Sequence, residues 1–198
     1  KTWLTETAQE LTSLAVQVQG GMGFVEETGA AQHMRDARIL PIYEGTTGIQ
    51  ALDFVGRKIM GDEGHALDEW IAEMAAFDAE LAVDERLAEI RKALATGTQQ
   101  LESAKAWLLQ NGPLDPNTAG SASVNMLMLA GIVLGGWQMA RAGLAVVNGA
   151  ASDDISFAEG KILTVRFYAQ HIMPKSHGFL DAAIAGPEAV MAFAEEQF

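Results

Sequence analysis

Apolar residues recur at three- and four-residue steps along nearly the whole chain, the spacing of one face of an α-helix. Leu4, Ala8, Leu11, Ala15 and Val18 form the first such stripe and predict a helix over about 3–19, stopped by Gly20-Gly21. The polar stretch 26–38 predicts a short helix. Ile39 to Tyr43 leaves the helical path, because Pro41 pushes the residue before it to an extended geometry. Thr47 with Gln50 three residues on reads as a capping box that opens a helix to about Met60. Gly61-Asp62-Glu63-Gly64 interrupts the pattern, and the apolar spacing resets beyond it. Leu67, Trp70, Ile71, Met74 and Phe77 make one stripe, and Val83, Leu87, Ile90 and Leu94 a second. Leu101, Ala104 and Leu108 make a third, behind a Thr98 cap. Asn111-Gly112-Pro113 through Gly120 reads as a loop. A long apolar helix over about 122–147 follows, closed by Asn148-Gly149. Ser156 and Glu159 form a second capping box, opening a helix that Pro174 ends, and Pro187 starts the last of two short helices.

No strand-like alternation and no fixed-period repeat is present. The pattern predicts an all-α protein: a segment 1–60 and an antiparallel helical bundle 61–198. The 122–147 helix is expected to be its most buried element. It is apolar nearly all round, and Gly131, Gly135 and Gly136 permit close helix approach. The run Ala122 to Met139 nears the ~20 residues of a membrane span. Asn125, Gln138, the Ala- and Gly-rich composition and the following Arg141 favour the centre of a soluble bundle.

Composition narrows the function classes. The 198 residues carry 26 acidic against 13 basic side chains, a formal charge of −13. Such a surface repels phosphate backbones and anionic lipid, so neither nucleic acid nor membrane is the expected partner. Cysteine is absent, which removes disulfides, thiolate metal sites and thiol nucleophiles. His171 and His177 stand six apart with Pro174 between, no standard ligand spacing, and no metal site is expected. With 49% hydrophobic residues the chain suits an acidic globular protein of the cytoplasm. It begins Lys1-Thr2-Trp3, with neither initiator Met nor signal-peptide pattern, and reads as a piece of a longer polypeptide.

The most unusual local chemistry is Ile42-Tyr43-Glu44-Gly45-Thr46. A carboxylate between an aromatic step and a glycine, just ahead of a helix, has two readings. It is a base facing a desolvated pocket, beside helix-start N–H groups suited to an anion. Or it is an exposed Glu stabilised by the helix dipole. Gly20-Gly21-Met22-Gly23 fails as a dinucleotide loop, because Glu26 occupies the third glycine position and a helix precedes it. By spacing it is a helix C-cap. Arg35-Asp36 and Arg38 read as a solvated charge cluster.

Taken together, three runs carry a resemblance. Ala15-Val16-Gln17-x-x-Gly20-Gly21-x-Gly23-Phe24, then Met34-Arg35-Asp36-Ala37-Arg38-Ile39, then Ile42-Tyr43-Glu44-Gly45-Thr46-x-x-Ile49-Gln50 closely resemble, in order and spacing, the C-terminal signature of acyl-CoA dehydrogenases. The likeness covers about the first 60 residues. Residues 61–198 look like the helical extension of the long bacterial-type members, such as the 3-methylthiopropanoyl-CoA dehydrogenases. The resemblance implies removal of two hydrogens across Cα–Cβ of an acyl-CoA thioester with reduction of FAD. Glu44 then matches the catalytic base, with its main-chain N–H on the thioester carbonyl. Tyr43 and Gly45 would line the substrate site, Gly45 leaving the reacting carbons unobstructed. Thr46 matches a flavin-contacting hydroxyl. Gln17 and Gly21 match positions that contact the adenine-diphosphate end of FAD held mainly by a neighbouring subunit, and Arg35-Asp36 a structural motif. The implied partners are acyl-CoA, an electron-transfer flavoprotein and further copies in a homo-oligomer.

Two departures stand out. Gly48 replaces the Glu or Gln that touches flavin in many members. The N-terminal helical domain, the flavin-gripping β domain and further helices are not in this sequence, so the chain alone is expected to hold no flavin and to be inactive. The alternatives are a DNA-associated, alkylation-response member of the superfamily, which the acidic balance disfavours, and a stand-alone helical interaction module.

Overall fold

The computed structural model describes residues 1–150 and 153–197, and every regular element among them is helical. Helix α1 (Thr2–Gln19) stops at Gly20, whose φ of +60° turns the chain while its N–H donates to the Gln17 carbonyl at 3.1 Å. The single turn α2 (Gly21–Phe24) and α3 (Ala30–Ala37) follow. After a turn over 38–46 comes α4 (Thr47–Leu52), which runs on as a π-helical stretch Asp53–Ile59 and a 3-10 turn Met60–Asp62. Glu63 and Gly64, both left-handed, redirect the chain into α5 (His65–Leu81). Then come α6 (Ala88–Asn111), α7 (Pro116–Val147) and α8 (Ile155–Phe167). A second π-helical stretch, Tyr168–Ile172, and the turn Met173–Lys175 lead into α9 (Ser176–Ala183), and the short α10 is Glu188–Met191.

Several boundaries differ from the sequence expectation, because side chains other than the expected ones satisfy the helix ends. Thr98 is not a cap. It is buried inside α6, where its hydroxyl donates to the Leu94 carbonyl at 2.8 Å, so the second and third stripes are one helix. The loop before α7 is shorter than 111–120. Asp115 accepts from the Asn117 N–H at 2.8 Å, and Pro116 takes the first helical position that suits its fixed φ. Asp154, not Ser156, caps α8 by accepting from the Phe157 N–H at 2.9 Å. Thr46, not Thr47, caps α4. Pro174 falls within the 3-10 turn that ends the π-helical stretch.

Helix α7 runs through the centre. Leu129, Ile132 and Val133 are at most 2% exposed. Its glycines are contact points: a Cβ on Gly131 would lie 2.4 Å from the Trp3 Cβ, and one on Gly135 2.2 Å from the Tyr168 hydroxyl. That hydroxyl donates to the Ile132 carbonyl at 3.0 Å, and burial raises its pKa, keeping the proton in place. By length and composition α7 could cross a membrane. Here it packs on α1, α4, α5, α6, α8 and α9. Val55 and Ile59 of the first π-helical stretch share one apolar cluster with Leu67, Leu101 and Leu129. The stripe of α1 forms but faces outward: Leu11 is 59% and Val18 86% exposed.

Candidate active site

The turn over 38–46 is tied by its own backbone. The N–H groups of Ile42 and Tyr43 both reach the Ile39 carbonyl, at 3.0 and 3.1 Å, and the Thr47 N–H donates to the Pro41 carbonyl at 3.3 Å. Pro41 is buried and anchors the turn. The result places Glu44 at φ +56°, a left-handed conformation that costs a non-glycine residue on the order of 1–3 kcal/mol. Gly45 follows at +84°. At that φ a side chain is strained, and a Cβ on Gly45 would also meet the Gln50 amide nitrogen at 2.6 Å and push that flexible side chain from its place.

Side chains from two helices grip the loop. Lys1 Nζ donates to the carbonyls of Tyr43 and Gly45 and lies 5.6 Å from the centroid of the Tyr43 ring. Gln50 Nε2 donates to the Glu44 carbonyl at 2.8 Å. The Thr47 hydroxyl donates to the Glu6 carboxylate. The Thr46 hydroxyl oxygen faces the Ile49 N–H at 3.4 Å. Periodicity carried no sign of Lys1 and Glu6, because neither lies on the apolar stripe. Gln50 closes no capping box with Thr47, because its amide reaches back six residues to the loop.

Glu44 is exposed, so the described residues do not form the desolvated pocket that the sequence suggested. Around it Tyr43, Ile49 and Leu52 are about half exposed, an apolar rim open to solvent.

The structure brings Tyr43, Glu44, Gly45 and Thr46 together and leaves Gln17 and Gly21 apart from them. Lys1 and Glu6 fix the loop to the start of α1, whereas Gln17 and Gly21 sit exposed at its far end. Eleven residues from Glu6 to Gln17 correspond to about 16 Å of helix. A Cβ on Gly21 would meet nothing within 4 Å, and neither would one on Gly48. Arg35 makes a two-pronged ion pair with Glu26, at 2.7 and 2.6 Å, whose hydrogen bonds hold the Glu26 carboxyl below its usual range. It therefore joins the turn 26–28 to α3. Among the described residues no group of three His, Asp or Glu could hold a metal.

Residues 1–60 match the family described as acyl-CoA dehydrogenase, C-terminal domain, and residues 70–194 the one described as acetyl-CoA dehydrogenase C-terminal like. The chain is 43% identical over 182 residues to the 3-methylmercaptopropionyl-CoA dehydrogenase of Ruegeria pomeroyi, covering 87% of this chain and 30% of that protein. It is 36% identical over 180 residues to a broad-specificity linear acyl-CoA dehydrogenase of Mycobacterium tuberculosis, covering 86% of this chain and 30% of that protein. A 52-residue stretch is 50% identical to the human mitochondrial short-chain specific acyl-CoA dehydrogenase, 26% of this chain and 13% of the relative. The chain belongs to the acyl-CoA dehydrogenase family and spans 30% of the length of the first two relatives.

Proposed function

We propose that this chain is the C-terminal part of an FAD-dependent enzyme that converts an acyl-CoA thioester to the trans-2-enoyl-CoA. One observation carries the reading. On Glu44 a carboxylate and a free main-chain donor stand on the same residue. Among the described residues no acceptor pairs with the N–H of Glu44, Gly45 or Thr46.

A thioester suits both groups. Its carbonyl accepts from the Glu44 N–H, which stabilises the enolate charge as it develops and makes the α-proton acidic enough for a carboxylate to remove. The proton passes from Cα to the Glu44 carboxylate as hydride leaves Cβ, and the Cα–Cβ double bond forms. When bound, FAD supplies the acceptor for that hydride. The apolar rim of Tyr43, Ile49 and Leu52 excludes water once covered, which strengthens both interactions.

The residues present fit part of the dinucleotide. The Thr46 hydroxyl keeps its own proton to donate. Gly21 has no neighbour that its missing side chain would strike, so close approach by a diphosphate gives glycine a purpose there. Gln17, exposed near it, offers its amide. Because these two lie at the far end of α1, we assign them to the FAD of a neighbouring copy in a homo-oligomer. Electron-transfer flavoprotein is the acceptor this scheme calls for.

Glu44→Gln, made in the enzyme at its relatives' length, tests the reading. Binding of FAD and acyl-CoA is retained, because shape is preserved. Anaerobic flavin bleaching slows by about 10²–10⁴-fold, the usual loss of a general base. Bleaching near the wild-type rate moves the base away from this loop.

A further inference from the structure

Resting on that assignment of Glu44, we propose that Lys1 and Gln50 are positioning residues that aim the donor for the thioester carbonyl. Three successive carbonyls of the loop are captured from the protein side. Lys1 takes those of Tyr43 and Gly45, and Gln50 takes that of Glu44. In a planar trans peptide the N–H points opposite to the C=O of the same unit, and no described peptide bond is cis. Holding the Tyr43 carbonyl therefore turns the Glu44 N–H away from Lys1. Holding the Glu44 carbonyl turns the Gly45 N–H away from Gln50. The third capture does the same for Thr46. Among the described residues none of these three N–H groups has an acceptor.

The clamp also accounts for the left-handed Glu44. At φ +56° an L-residue relaxes toward negative φ unless its flanking peptides are fixed, and both are. The lysine ammonium adds polarisation, since a charge on the Tyr43 carbonyl makes the N–H of the same peptide a stronger donor. The grip on the other side comes from the same end of α1, where Glu6 accepts from Thr47. Gly45 completes the arrangement, because a side chain there would displace the Gln50 amide.

The test uses the enzyme at its relatives' length and an acyl-CoA labelled with carbon-13 at the thioester carbonyl. Isotope-edited infrared spectra are taken in a Glu44→Gln background, where substrate stays intact and the main-chain donor remains. Binding lowers the carbonyl stretch. Lys1→Met and Gln50→Met, each close in length to the native side chain, are expected to reverse much of that lowering, and Lys1→Arg to restore it. With Glu44 present, both Met variants lose about 10–100-fold in kcat with KM nearly unchanged, less than the 10²–10³-fold of a deleted oxyanion donor. Unchanged stretching frequency in both Met variants overturns the clamp. If Lys1→Met yields no folded enzyme, Gln50→Met decides alone. A Glu44→Gln enzyme that still bleaches its flavin overturns the base assignment instead, so the two failures are distinct.

Discussion

Helix α1 of the segment 1–60 and the central helices of the bundle that follows both carry apolar faces and put them to different use. In α6 and α7 the stripes close on each other, and Leu101, Leu108, Leu129 and Val133 are sealed from solvent. In α1 the stripe is complete, yet Leu4, Leu11, Leu14 and Val18 are each at least half exposed. Period alone therefore establishes that a helix has an apolar face, and says nothing of whether the partner for that face lies in the same chain. The segment that carries the candidate chemistry is also the one whose helix leaves its apolar stripe exposed. It is held by α4 and its π-helical continuation against α7, and by polar links from Lys1 and Glu6 to the loop.

The contrast breaks most sharply at the centre of the bundle. Leu129→Ala empties a site that is fully buried, and such truncations cost about 2–5 kcal/mol. Denaturant unfolding is expected to show a loss of that size with an unchanged slope. A loss under ~1 kcal/mol would mean that α7 is not the central packing element.

The glycine contacts come next. Gly135→Ala places a methyl 2.2 Å from the Tyr168 hydroxyl, an overpacking expected to cost about 1–3 kcal/mol. Adding Tyr168→Phe removes the struck atom, so the double variant is expected to be less destabilised than the two single losses summed. Simple additivity in that cycle would place Tyr168 elsewhere.

How much of this was legible in the sequence follows from what each signal depends on. The helical character, the Gly61–Gly64 break and the loop ahead of α4 depend on local spacing and on Pro41 and can be read directly, whereas the division into helices cannot. Thr46 and Asp154 cap one and two residues ahead of the hydroxyls that spacing favours, because neighbouring cap residues compete for one helix start and spacing does not rank them, and α7 starts at Pro116, six residues before its apolar run, because Asp115 caps a polar first turn. Thr98 resembles a cap in sequence because a threonine that bonds back to its own helix has the same local spacing as one that starts a helix. Of the site, the run 42–46 was legible. Lys1, Glu6 and Gln50 as its supports were not, since Lys1 and Glu6 lie some forty residues away in sequence and meet it only through the fold. The exposure of Glu44 was not legible either, because a pocket is made by what packs around a loop.

Asp84 sharpens the comparison from the surface of the bundle. It caps the turn Glu85–Leu87, and its hydrogen bonds to the Arg86 guanidinium and N–H hold its pKa at about 2, below 3.8. A depressed carboxylate stabilises the fold above its unfolded pKa and stops doing so as pH falls through the folded one. Asp84→Asn is therefore expected to lower the unfolding midpoint slightly at neutral pH, with the gap to wild type closing between about pH 4 and pH 2. No gap at neutral pH would show that capping by either side chain, and not charge, is what matters.

The smallest expected effect bears most directly on the difference between the two regions. Leu11 is 59% exposed on a regular helix, and Gln has nearly the helix propensity of Leu. Leu11→Gln in the 198-residue chain should change stability by no more than about 0.5 kcal/mol, as exposed substitutions do. The same change in the enzyme at its relatives' length is expected to cost several-fold more, the result that burial of the stripe there would give. Unfolding of both forms, at two protein concentrations, checks this. A cost above ~1 kcal/mol in the short chain that vanishes on dilution would mean that a second copy covers α1. A small cost in both forms would mean that the stripe faces solvent even in the larger protein.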